Sequence, residues 1–554
     1  NLNGYWEYAF TDAFQKPEKY DGKILVPFSP ECILSGVARQ LKPEEYLWYR
    51  KEILLERWNV KTERRHMLLH FGAVDQCAVV YINGKKQGKH VGGYLPFSYD
   101  ITEALKEEKN LLTVKVRDYS ETCYYSRGKQ KLKNGGMFYT AQSGIWQTVW
   151  IEKVPECYIG HLKITPLYDQ SSIMIQMEEE HGIKDIDYEV TITARKMWPV
   201  KASGKTGKPC VIMIPHMRSW SPEDPFLYDL HVRMGEDSVE SYFAMRKVEV
   251  KNDKEGIPRI FLNNEPYFEK GVLDQGYWPD GLYTPPCDEA MIYDIQKMKD
   301  LGFNMIRKHI KIEPQRWYYH CDRIGMLVWQ DMVNGGRDYK SWYVTYMATA
   351  MEGMHIRAKD TRIHLMGRQD PAGQRQFEKE MKETLRLLYN HPSIVTWVIF
   401  NEGWGQFQTK KMTDIVRAED PYRLTDSASG WFDQGCGDIR SIHDYFFPLH
   451  VTPEKRVTAL TEFGGYSLQI PKHSMYEKKV YGYKKFKRKR ELTAGYEKLI
   501  KKLIIPNIRR GLSATVYTQL SDIEEEVNGI ISYDRKIVKM DEKTVKKLNE
   551  KLHF

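Results

Sequence analysis

Over the first 155 residues apolar and polar positions alternate in short runs broken by turn residues, the pattern of strands with one buried face. Cys77-Ala-Val-Val-Tyr-Ile is such a run, and Asn83-Gly84 after it is a two-residue hairpin signal. Residues 1–155 therefore read as an all-β sandwich. Residues 156–248 repeat the rhythm in smaller compass, with runs at 173–177, 188–194, 227–232 and 242–245 punctuated by Pro222, Pro225 and Gly235. That suits an immunoglobulin-like β-sandwich.

After residue 249 strand-like apolar runs are separated by helical patterns. Eight runs stand out, at 269–274, 304–309, 326–331, 394–402, 423–427, 441–445, 458–464 and 513–520. Between them, 288–301 carries apolar residues at 291, 292, 295 and 298 and stops at Gly302, and 377–389 stops at Asn390-His391-Pro392. Eight strands alternating with helices over 249–554 predict a closed (β/α)8 TIM barrel. The connections 333–376 and 465–490 are too long for plain turns and are candidate pocket walls.

The fourth run ends in Val-Ile-Phe-Asn401-Glu402-Gly-Trp404-Gly and the seventh in Thr461-Glu462-Phe463-Gly464-Gly465. Each aims one carboxylate out of a buried strand at the end of a barrel where active sites lie. Taken alone, Glu402 is either an active-site acid or a local cap for the following loop. Strands four and seven face each other across an eight-stranded mouth, so the two carboxylates form a pair. Retaining glycoside hydrolysis uses two carboxyls, one to protonate the leaving oxygen and one to attack the anomeric carbon.

Composition narrows the field without deciding it. The 554 residues hold 83 basic and 74 acidic side chains, a formal charge of +9 that describes a mixed surface. The basic run 484–490 reads as a solvated helix face, and no nucleic-acid partner is expected. Eight scattered cysteines without a CxxC pair point to free thiols in a reducing compartment, hence the cytoplasm. Without an initiator Met, export stays open. No run of 18 apolar residues is present, so no membrane partner is expected. His309, His391 and His443 do not have metal-site spacing, and neither metal nor cofactor is expected. A homo-oligomer is left open.

Several stretches carry a family resemblance. Leu2-Asn3-Gly4-Tyr5-Trp6, Leu69 to Asp75, Gly92 to Phe97, Ser143-Gly144-Ile145-Trp146, Asp224 to Tyr228, His391 to Ile394, Asn401-Glu402 and Thr461 to Gly464 resemble glycoside hydrolase family 2, in the family's order. The resemblance implies a jelly-roll sugar-binding-like domain (1–155), an immunoglobulin-like sandwich (156–248) and a catalytic barrel (249–554). It implies Glu402 as acid/base, Glu462 as nucleophile and Asn401 as the partner of the sugar 2-hydroxyl.

Departures from the family touch the sugar. Arg307-Lys308-His309-Ile310-Lys311 replaces the segment usual in galactosidases and glucuronidases, which shifts or replaces the pocket histidine, and Phe138 stands where those relatives carry a sugar-reading Asp. Asp331 either holds ring hydroxyls or pairs with Arg307. Tyr445 either donates to the nucleophile or packs at the rim. Trp404, Trp431 and Tyr517 form a stacking floor or belong to the core. With no Asn-x-Lys motif, and with Glu524, Glu525 and Glu526 as an acidic wall, a uronate is disfavoured unless Lys308, Lys311 or a lysine of 465–490 supplies a cation. A terminal β-galactoside is the first expectation. β-Glucuronide, β-galactofuranoside and α-L-arabinofuranoside are the rivals, and a carbohydrate-binding protein without activity is the non-enzyme alternative.

Overall fold

The computed structural model describes residues 1–55, 65–353, 358–446, 448–478 and 480–554. They form two compact units, one of residues 1–119, 142–246 and 387–392 and one of 120–141, 247–386 and 393–554.

The first unit holds two sandwiches. One sheet of the first sandwich runs Gly22–Val26, Gly4–Thr11, Tyr46–Leu54, Lys109–Arg117, Cys77–Ile82 and Lys85–Val91, each antiparallel to its neighbour. The Asn83-Gly84 turn joins the last two with φ of 51° and 83°, the left-handed pair that a two-residue hairpin needs. A second sheet sets Arg65–Phe71 between Val149–Pro155 and Phe97–Asp100, and Trp6, Tyr49, Leu69, Val80 and Val114 fill the core. In the second sandwich alternate residues of Asp187–Thr193 and Tyr228–Met234 are buried, so Tyr188, Val190, Ile192, Leu230 and Val232 share one core. The next strand, expected at 242–245, spans Asp237–Phe243, because Gly235 at φ 58° turns the chain into a tight hairpin.

The second unit is the barrel. Its strands are β1 (Glu269–Asp274), β2 (Met305–Lys308), β3 (Leu327–Asp331), β4 (Ile394–Val398), β5 (Leu424–Asp426), β6 (Ile439–Asp444), β7 (Val457–Gly464) and β8 (Leu512–Thr518). All eight coincide with the apolar runs. They pair in parallel in the order β5-β4-β3-β2-β1-β8-β7-β6. Between β5 and β6, the Asp438 backbone N–H donates to Thr425 O (2.8 Å) and Thr425 N–H donates to Asp438 Oδ2 (2.8 Å). Every residue of β4 is buried, which accounts for an apolar run without alternation.

Candidate active site

Past the last residue of β4 the chain stays paired. Glu402 N–H donates to Ser429 O (2.9 Å), and Trp404 N–H closes a turn on Asn401 O (2.9 Å). Glu402 and Gly403 take φ of 50° and 75°. The left-handed backbone is costly for a glutamate and free for a glycine. A Cβ on Gly403 would also meet the Phe432 ring at 2.6 Å. The turn therefore needs its glycine, and it aims Glu402 into the barrel mouth.

Glu462, in β7, is buried there too, and donors reach both its oxygens. Tyr445 OH donates to Oε2 (2.7 Å) and Arg307 Nη1 to Oε1 (3.3 Å). Burial alone would raise the carboxyl's pKa. The positive fields of His443, Arg307 and Lys129 outweigh it and hold Glu462 below the ordinary carboxylate range.

Arg307 is completely buried and organises the floor. Its Nε and Nη2 grip Asp331 in a fork (3.0 Å each), Nη2 also donates to Asn401 Oδ1 (2.9 Å), and Nη1 reaches Thr461 O (3.1 Å). Asn401 thus spends its carbonyl on Arg307, leaving its amide nitrogen for the pocket. Asp331 also meets His309 Nδ1 (2.9 Å). Burial, then Lys129 and Arg307, push His309 well below its ordinary pKa, so the ring is neutral. With its Nδ1 proton on Asp331, Nε2 is left as an acceptor.

His443 links the two carboxylates. Its Nδ1 is 2.9 Å from Glu402 Oε1, and its Nε2 is 3.0 Å from Ser429 Oγ and 3.7 Å from Glu462 Oε1. Ser429 Oγ donates to Thr461 Oγ1 (3.0 Å), which donates to Ile442 O (3.3 Å). With both hydroxyl protons spent, Ser429 accepts from His443, so Nε2 carries a proton. Ligand atoms of Glu402, His443 and Glu462 lie within 4.8 Å of one another, a spacing that would also suit a metal ion.

Glu402, Glu462, Asn401, His309 and Tyr445 line one pocket, with Lys129, Met137, Leu273, Gln275, Tyr481, Tyr483, Thr518 and Glu526. Arg307 and Asp331 lie outside this lining and hold it from behind. Three expected aromatics do not line it. Trp404 packs against Phe138 (5.5 Å) and Tyr339 (5.6 Å), which also meet each other at 6.4 Å, in an aromatic cluster. Trp431 packs edge-on to His443 (5.8 Å), and Tyr517 meets Phe463 and Tyr496. Successive residues of β8 face opposite ways, so with Thr518 in the pocket Tyr517 is turned out of it.

The acidic wall is a correction to the sequence reading. Glu524 accepts from Asn134 Nδ2 (2.6 Å) and Thr140 N (2.9 Å), Glu525 accepts from Gly136 N (3.0 Å), and Glu526 from Tyr139 OH and Asn528 Nδ2 (2.9 Å). These carboxylates clasp the segment 120–141, and of the three only Glu526 lines the pocket. Lys308 and Lys311 are spent as well. Lys308 bonds Asp274 (2.5 Å) and Glu313 (2.7 Å), while Lys311 bonds Gly276 O, Tyr283 O and Glu313 (2.7–2.8 Å). No lysine of 465–490 lines the pocket among the described residues; that connection contributes Tyr481 and Tyr483, the latter stacked on Tyr445 at 3.9 Å. Sequence reasoning missed Lys129, and it weighed His443 only as a metal ligand.

An eight-stranded parallel barrel with helices in most of its connections, none of them among the described residues between β5 and β6 or β6 and β7, and with two carboxylates in its mouth, defines a glycosidase-type scaffold. The chain belongs to glycoside hydrolase family 2: that family's sugar-binding domain model matches residues 13–155 and its TIM barrel model residues 287–462, together more than half of the chain. It is 24% identical over 411 residues to a putative β-glucuronidase of Formosa agariphila, covering 68% of this chain and 44% of that protein. It is 23% identical over 468 residues to a β-galactosidase of Thermoanaerobacter pseudethanolicus, covering 77% and 55%. The chain thus spans about half the length of these curated relatives. Among solved structures, a β-glucuronidase of an uncultured Clostridium superposes with a TM-score of 0.75 at 16% identity, covering 99% of this chain and 96% of that one. The β-galacturonidase of Eisenbergiella tayi bound to galacturonate gives 0.70 at 19%, covering 100% and 97%. No helix among the described residues is long and apolar enough to cross a membrane, and all eight cysteines are free.

Proposed function

We propose that this chain is an exo-acting retaining glycoside hydrolase that removes a terminal β-linked sugar by double displacement, with Glu462 as nucleophile and Glu402 as acid/base. One observation carries the reading: two carboxylates share one pocket, and their partners differ. Glu462 receives donors at both oxygens and a positive field, which keep it an anion. Glu402 meets the His443 ring at Oε1 (2.9 Å). Different surroundings for two neighbouring carboxyls are what the acid and the nucleophile of this reaction need.

In the first step a Glu462 oxygen attacks the anomeric carbon while the Glu402 proton passes to the departing glycosidic oxygen. Whichever oxygen attacks, the other keeps a donor, Tyr445 or Arg307. In the second step Glu402, now a carboxylate, takes a proton from water as that water displaces Glu462. Asn401 Nδ2 is free to donate to the 2-hydroxyl, and His309 Nε2 to accept from a ring hydroxyl. Relatives named β-glucuronidase, β-galactosidase and β-galacturonidase support an equatorial leaving group without choosing among the sugars. Following the first-formed sugar by NMR tests the reading. Net retention is expected, and an inverted product would overturn it.

A further inference from the structure

The segment 120–141 brings to the pocket a cation that, among the described residues, makes no ion pair. Lys129 is buried, with 8% of its surface exposed, and lines the same pocket as Glu402 and Glu462. Its Nζ lies 5.5 Å from the Trp404 ring centroid and 5.8 Å from that of Tyr139. Among the described residues it makes no ion pair and its ammonium no hydrogen bond. The nearby cations Arg127 and Lys131 both pair with Asp338 (3.1 and 3.5 Å). The other buried lysines of the barrel, Lys308, Lys311 and Lys539, each reach a carboxylate. Glu526, in the same pocket, has Tyr139 on one oxygen and Asn528 on the other.

A buried ammonium without a partner is costly, and here the backbone that carries it is held on both sides. Arg127 N and Gly128 N donate to Asn334 O (3.1 and 2.9 Å) beyond β3, and the Glu524 to Glu526 carboxylates hold 134–140 beyond β8. Such preorganisation suits a charge kept for a ligand. The ligand has to be a glycoside that can also meet Glu402 and Glu462, so its negative charge belongs on the sugar.

We propose that Lys129 is a specificity residue that pairs with the carboxylate of a terminal uronic acid, making the substrate class β-uronides. This rests on the glycosidase reading above. The cation thereby comes from the chain's first 141 residues rather than from the barrel's last strand or from Lys308 and Lys311. No carboxylate of the described residues lies within ion-pair distance of Lys129, and a carboxylate on the sugar takes that place.

The test compares kcat/KM for 4-nitrophenyl β-D-glucuronide and β-D-galacturonide with their uncharged methyl esters, in the wild-type chain and in Lys129→Met and Lys129→Arg. The wild type should prefer the acid to its ester at least about 30-fold for one of the sugars, the range of a hydrogen bond to a charged group. Lys129→Met should collapse that ratio, and Lys129→Arg should keep most of it. A lysine that merely supports Glu462 electrostatically would slow acid and ester alike, leaving the ratio unchanged and overturning the proposal. So would a wild type that prefers the ester, whatever the variants do. Calorimetric binding of free glucuronate and galacturonate separates the two readings. Lys129-dependent binding without turnover of any glycoside would sink the hydrolase reading and keep this one. Turnover confined to neutral sugars would do the reverse.

Discussion

His443 Nδ1 stands 2.9 Å from Glu402 Oε1, and the chain of hydroxyls behind the ring decides what that contact means. Because Thr461 passes its proton to Ile442 O and Ser429 passes its own to Thr461, His443 must donate from Nε2. The other nitrogen is the one through which the ring meets Glu402. The ring thereby orients the carboxyl proposed as the acid.

If the His443 contact serves the acid, replacing His443 should hurt substrates in proportion to their need for protonation. His443→Phe is expected to slow an alkyl glycoside on the order of 10²-fold more than a 2,4-dinitrophenyl glycoside, whose leaving group departs unprotonated. Equal losses on both would mean that the ring only fills space.

Glu462→Ala and Glu402→Ala should each lose turnover by about 10⁴-fold or more while keeping wild-type melting behaviour. Azide should partly restore both, with opposite products. In Glu462→Ala it replaces the nucleophile and yields the α-glycosyl azide, whereas in Glu402→Ala it intercepts the glycosyl-enzyme and yields the β-azide. Product NMR that showed one anomer for both variants would reverse or cancel the assignment.

Arg307 is expected to be a stability residue as well as a site residue. Replacing it with Met leaves the Asp331 and Glu462 carboxylates buried without their guanidinium, a cost of about 3–5 kcal/mol in denaturant unfolding. Arg307→Lys should recover little, since one ammonium cannot reproduce the fork on Asp331.

Asp426 gives a pH signature. Burial pushes its carboxyl from 3.8 to about 6, against the opposing hydrogen bond from Ser441 and the field of Arg307. The folded state therefore holds a proton that the unfolded chain has released. That stabilisation is complete below the unfolded value and is lost as pH rises through 6. Between pH 5 and 7.5 it should shrink by about 1.4 kcal/mol. Asp426→Asn should remove that part of the slope in denaturant titrations at the two pH values, and an unchanged slope would place the titration elsewhere.

The barrel was legible because each strand is an apolar run with a helix-length interval behind it, and because β4 and β7 carry a carboxylate followed by glycine. The Tyr445 contact with Glu462 was within reach for the same reason, since Tyr445 directly follows β6. Asp331 was read two ways, and the fork from Arg307 occupies both its oxygens. The aromatics stayed open between a stacking floor and the core because composition near a strand end says nothing about which way a ring turns, as Tyr517 beside Thr518 shows. Lys129 was out of reach because its position depends on hydrogen bonds spanning some 390 residues, Asn134 to Glu524 among them. The sense of the His443 link was hidden likewise, since it hangs on hydroxyl directions in Ser429 and Thr461.

The segment 120–141 lies within the stretch matched by the sugar-binding domain model, yet it is grouped with the barrel. The border that a gene would cut and the border of the pocket therefore differ. A barrel expressed from residue 247 onward would keep both glutamates and lose Lys129, and with it one wall of the cavity. Conversely, grafting another relative's amino-terminal region onto this barrel would import that relative's version of the loop. In such chimaeras, sugar preference should travel with the amino-terminal half and reaction stereochemistry with the carboxy-terminal half.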